Sequence, residues 1–166
     1  MPAPRLSAEG LSVLAGSVGD AASLARYTGK IVQVPGSSCL WRTGAVSGRG
    51  HGRFWLGHDR VILAHRFAFA VAHGVAALGQ ERVLGHRCDN PLCQRIGPGH
   101  VVVSSPLQNR REWASRRHLL GNPLTDPRGA RKRAVQLRDL ARRDPARVAV
   151  DLEQLRRISG EQLALW

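Results

Sequence analysis

Lysine is nearly missing from this chain, and acidic side chains are scarce. Its 166 residues hold 2 Lys against 23 Arg, and 12 Asp plus Glu, for a net charge of +13. Arginine in place of lysine can follow the base composition of a coding sequence, but that does not explain the surplus itself. The surplus argues against an acidic-surface protein and for a polyanionic partner, since guanidinium suits bidentate contact with phosphate. No apolar run approaches the roughly 20 residues that cross a bilayer, so no membrane partner is expected. The first residues lack the basic–apolar–small pattern of a secretion signal. With 3 Cys the thiols cannot all pair with one another. A cytoplasmic protein with reduced thiols is the simplest expectation, and metal is the better use for them. Aromatics are few while Gly numbers 18 and Pro 9, which points to a loop-rich fold that a bound metal would stabilise.

The pattern along the chain predicts an α+β fold in three parts: an N-terminal segment 1–36, a central domain 37–120 and a basic helical C-terminal extension 121–166 with a short tail. A helix is expected from an Asp20 cap to Tyr27, then a strand at Ile31–Val34. Arg53–Leu56 and Arg60–Leu63 alternate around Gly57-His58-Asp59 as a hairpin would, and Ala64–His73 is a buried helix stopped by Gly74. Strands are expected at Arg82–His86 and Val101–Val103, flanking a Pro/Gly-bearing loop. A helix follows, with Ser105 as cap and Pro106 at its first position. By the same logic Asp126-Pro127 and Asp144-Pro145 open helices at about 127–142 and 145–158.

The densest chemistry lies in His86, Cys88, Cys93, His100 and Asn109, within 24 residues. Cys88-x4-Cys93-x6-His100 offers three ligands of the kind zinc takes, and a tetrahedral site needs a fourth. Cys39 is the natural choice; His86 is a competing ligand that spacing alone leaves open. The histidine and asparagine outside that set suit a hydrolytic site built on a hard cation.

Cys39-Leu40-Trp41, Gly50-His51-Gly52-Arg53-Phe54, Ala64-His65-Arg66, His86-x-Cys88-Asp89-Asn90-Pro91-x-Cys93, then His100 and Asn109, resemble the HNH endonucleases. The set is most similar to the zinc-bearing His-Cys box branch of the ββα-metal (His-Me finger) nucleases, over residues 38–118. The resemblance implies a DNA endonuclease with Cys39, Cys88, Cys93 and His100 on a structural zinc. It also implies that His86 is the general base, Asn109 the protein ligand of a catalytic Mg²⁺, and Arg53 a contact to the scissile phosphate. Arg53 stands twelve residues before His65. His51 replaces a tyrosine common in that family, and the link from Cys93 to His100 is longer than usual.

Such chemistry is physically reasonable. A neutral imidazole can take a proton from water near pH 7. Mg²⁺ keeps most of its waters and needs few protein oxygens, so one amide carbonyl can serve. Arg110, Arg111, Arg116 and Arg117 make the helix carrying Asn109 strongly basic, and with Arg66 they are the expected DNA contacts. His65 is expected to be structural, His51, His58, His73 and His118 not to be ligands, and Trp41 and Phe54 to be core. Gln162, Leu163, Leu165 and Trp166 resemble the short peptide that binds the bacterial sliding clamp; docking at a helix end would use the same residues. Two other readings stay open: a zinc-stabilised DNA-binding module without catalysis, and an RNA-acting nuclease. The sequence leaves monomer or homodimer undecided.

Overall fold

The computed structural model describes residues 6–80, 83–116, 126 and 128–163, without the side chains of 80, 155, 156 and 158–163. Short antiparallel strand pairs alternate with helices, so the fold is α+β. Among the described residues no helix is long and apolar enough to cross a membrane.

Two apolar clusters organise the molecule. In the first, α1 (Ala8–Gly19), α2 (Ala21–Thr28), α3 (Ala64–His73) and α4 (Val75–Gln80) close over one face of a hairpin. That hairpin pairs β3 (Arg53–Gly57) with β4 (Arg60–Leu63), matching Phe54 with Ile62 and Trp55 with Val61. Phe54, Leu56 and Ile62 point inward onto Leu14, Tyr27, Phe67 and Leu78, while Arg53, Trp55 and Val61 face solvent. The turn puts His58 and Asp59 at positive φ (49° and 54°), a conformation Asp and His tolerate better than branched residues do.

The second cluster gathers around β1 (Ile31–Gln33) and β2 (Leu40–Arg42). Val34, Cys39, Trp41, Leu92 and Cys93 pack there with Ala134, Leu137 and Ala141 of α6 (Ala130–Arg143) and Val148 of α7 (Pro145–Leu163). The basic C-terminal helices thus cover the half of the molecule that holds the cysteines. Gly50, at φ 87°, lets the loop approach α6: a Cβ there would stand 2.9 Å from the Ala130 carbonyl oxygen.

The third pair, β5 (Val83–His86) with β6 (Val101–Ser104), runs in register from Val83↔Ser104 to His86↔Val101. α5 (Pro106–Arg116) follows at once, with the Ser105 hydroxyl accepting from the Gln108 amide at 3.0 Å. Strand, loop, strand and helix therefore follow in the expected order.

The expected hairpin, the buried helix 64–73 and the Asp20 and Ser105 caps are present. α1 and α4 were not expected from the pattern. The Asp126 cap is a correction: α6 starts at Ala130, because the Asp126 carboxylate instead bonds the Arg128 amide and the guanidinium groups of Arg128 and Arg133. The Gly121–Pro123 boundary lies outside the described residues.

Candidate metal centre and adjoining histidine cluster

Cys39 enters from just before β2, Cys88 and Cys93 from the loop after β5, and His100 from just before β6. One ligand atom of each lies within 4.8 Å of the others. His100 Nδ1 is 3.6 Å from the Cys39 sulfur and 3.5 Å from that of Cys93. Backbone pairing brings the segments together: the Arg42 amide donates to the Leu92 carbonyl and the Gln94 amide to that of Leu40, while Arg87 donates to His100. Behind them the buried Gln94 amide group donates to the Leu92 and Cys93 carbonyls and accepts from Tyr27 Oη at 2.8 Å.

Electrostatics test whether this set fits a cation. Hydrogen bonds from the Cys88 and Cys93 thiols pull Cys39 down to about 2. The same sharing with Cys39 pushes Cys88 far up and Cys93 up to about 11. Sharing of protons among the three thiols thus favours ionisation of Cys39 and opposes that of Cys88 and Cys93. Three sulfurs and one imidazole nitrogen around a common point are the donors a tetrahedral zinc takes, and a divalent charge would let all three thiols ionise. These four residues can hold a metal ion, consistent with zinc.

His86 is not in that set. It is the last residue of β5; its Nδ1 lies 3.3 Å from the Asn90 carbonyl oxygen, and its Nε2 is buried with no hydrogen-bond partner among the described residues. Its ring meets those of His65 at 4.6 Å and His51 at 5.3 Å, both edge-on, and His51 and His65 are 5.4 Å apart. Burial first, then the neighbouring His51, hold His86 down to about 3. Burial and the neighbouring His86 hold His65 well below the usual histidine range, and its buried Nδ1 also lacks a partner among the described residues. Burial lowers His51 as well. His51 and His65 are the site neighbours that sequence reasoning missed. They come from the loop before β3 and the start of α3, and no spacing ties either to His86.

Asn109 reaches the same strand. A Cβ on Gly85, the residue before His86, would meet the Asn109 side-chain oxygen at 3.1 Å. Arg53 opens β3 two residues after His51, with its side chain on the exposed face. Arg66 is buried on α3. Arg110 and Arg111 are exposed on α5, whereas Arg116 is engaged with Asp89 at 2.9 Å and Glu112 at 3.5 Å. Arg117, Leu165 and Trp166 lie outside the described residues, and Gln162 and Leu163 have described backbone only. Trp41 and Phe54 are core, each 3% exposed.

Comparison with curated proteins finds 30% identity over 78 residues with Protein 7.7 of Escherichia phage T7, covering 47% of this chain and 56% of that protein. The chain thus spans little more than half the length of this relative, whose name states no activity. No family model matches. No solved structure matches either.

Proposed function

We propose that this protein is a metal-dependent endonuclease that hydrolyses DNA phosphodiester bonds, built as a ββα-metal finger on β5, β6 and α5. One observation carries the reading. The imidazole of His86 is held by a backbone carbonyl on one nitrogen and has no partner among the described residues on the other, and an amide oxygen from α5 packs against the adjoining Gly85. This arrangement supports reading His86 as the general base and Asn109 as the ligand of a hard cation.

The roles follow from the side chains. Nδ1–H of His86 donates to Asn90, which fixes the tautomer and leaves the lone pair on Nε2. Nε2 takes a proton from water as the water oxygen attacks phosphorus. The bond from phosphorus to the 3′-oxygen breaks, and solvent protonates the departing oxygen, leaving 5′-phosphate and 3′-hydroxyl ends. His51, only half-buried, stands edge-on to His86 at 5.3 Å, and its displacement would admit that water and relieve the burial that holds His86 low. Asn109 would be the protein ligand for Mg²⁺, which when bound would supply Lewis-acid stabilisation of the developing charge. Arg53 adds charge at the phosphate from the exposed face of β3. Cys39, Cys88, Cys93 and His100 would hold a structural zinc that fixes the loop between His86 and β6. The net charge of +13 and the exposed Arg110 and Arg111 suit a DNA backbone.

The test is supercoiled plasmid with Mg²⁺ and purified wild type, His86→Ala or Asn109→Ala. Nicking or linearisation by wild type alone supports the enzyme. Binding by all three without cleavage replaces it with a zinc-stabilised DNA-binding module, and cleavage confined to an RNA substrate reassigns the polymer.

A further inference from the structure

α5 is anchored in an unusual way. It carries the proposed cation ligand, yet none of its 11 residues is buried, and its apolar Leu107 and Trp113 are 50% and 45% exposed. An isolated helix of this length is marginal in water, so polar contacts to the rest of the fold matter for its placement. Asn109, Glu112 and Arg116, spaced by three and then four, form one stripe along the helix. That stripe meets four neighbours at the end of β5 and the start of the cysteine loop. Asn109 packs over Gly85. Glu112 faces Arg87 at 3.9 Å. Arg116 donates from Nε to the Asp89 carboxylate at 3.0 Å and reaches the His86 carbonyl oxygen at 3.4 Å.

We infer that Arg116 is a positioning residue that registers α5, and so Asn109, against His86, and that it is not a phosphate contact. Three observations carry this. Its charge is already matched by Asp89 and Glu112, whose side chains are 14% and 23% exposed, so it has little left to offer a phosphate. It touches the backbone of the proposed base itself. Asp89, adjacent to Cys88, adopts φ 52° in the cysteine loop, so the fold of that loop presents the carboxylate to the helix. Arg116 sits two turns, about 10 Å, along the helix from Asn109. A clip at that end prevents the helix from pivoting about Ser105-Pro106.

This inference rests on the proposed nuclease reading, so the experiment has an arm that needs no activity. Amide hydrogen exchange of residues 106–116 is compared in zinc-loaded wild type, Arg116→Ala, Arg116→Lys and the charge-swapped pair Asp89→Arg with Arg116→Asp. Exchange of α5 should speed up about tenfold or more in Arg116→Ala with the rest of the chain unchanged, and the swapped pair should recover much of the protection. In parallel, nicking is measured at saturating DNA, with DNA affinity measured separately against salt. Arg116→Ala should lose about 10–100-fold in turnover while affinity and its salt slope stay within about twofold. Unchanged exchange would overturn the proposal, and affinity that weakens with a salt slope smaller by about one while turnover holds would make Arg116 a phosphate contact instead. If wild type nicks nothing, the nuclease reading fails, and the exchange arm still decides whether Arg116 holds the helix.

Discussion

Nδ1 of His86 lies 3.3 Å from the carbonyl oxygen of Asn90, a residue within the loop that Cys88 and Cys93 bracket. The cysteine loop therefore sets the tautomer of a histidine that is not one of its ligands, and the two candidate sites share a backbone contact. His86→Ala should keep one equivalent of zinc and a near-native circular dichroism spectrum while nicking falls by about 10²–10⁴-fold. Loss of zinc in this variant, read by a colorimetric metal assay, would make His86 a ligand.

Gly85→Ala is a finer probe. Its new methyl would crowd the Asn109 side-chain oxygen at 3.1 Å, and that oxygen can yield by rotating away. The chain should fold and keep its zinc, yet nick about tenfold more slowly or require more Mg²⁺. Wild-type kinetics in a Mg²⁺ titration would show that Asn109 does not need its present position.

Removing a sulfur should unseat the metal. Structural zinc sites are worth on the order of 10 kcal/mol of folding free energy, so Cys93→Ala should lower Tm by more than about 10 °C and abolish zinc binding. Strong chelator on wild type should produce the same drop. A Tm indifferent to chelator would mean the cluster of Cys39, Cys88, Cys93 and His100 is packing rather than a metal centre.

Arg110 and Arg111 are exposed on α5. If each neutralises one phosphate, each change to Ala should weaken DNA binding and reduce the slope of log affinity against log salt by about one. Fluorescence anisotropy across a salt series measures this. A slope unchanged in the double variant would place the DNA on another face.

Acid should destabilise the fold through His65, which is 3% exposed and held neutral by burial. Its folded pKa lies below its unfolded value, so this stability is complete above the unfolded pKa of about 6.5 and is lost as pH falls from there towards the folded value. Relative to His65→Leu, wild type should lose about 1 kcal/mol between pH 6.5 and 5.5. Urea unfolding of both proteins at the two pH values tests it, and parallel losses would mean that His65 titrates alike folded and unfolded.

The candidate cysteine and histidine ligands were legible because a tetrahedral cation restricts the donor types and two of the three intervals between them are short. The hairpin was legible from period-two alternation, and α3 from its apolar run closed by Gly74. α1 was not: Gly10, Gly16 and Gly19 depress its helix propensity, and burial of Leu14 against the hairpin core outweighs them. The convergence of His51 and His65 on His86 is set by tertiary packing of three separate segments, and no local pattern records it. The docking of α5 was hidden for the same reason: its arginines look alike in sequence, and contacts across the gap to Asp89 and the His86 carbonyl distinguish Arg116 from Arg110 and Arg111.

The packing of α6 and α7 on Trp41, Leu92 and Cys93 limits how the chain can be cut down. A shortened protein ending near residue 120 would retain every proposed catalytic and zinc-ligating side chain, but the wall behind two of the sulfurs would face water. Attempts to isolate the central segment alone should therefore yield insoluble material, and the dispensable ends of this molecule must be sought elsewhere.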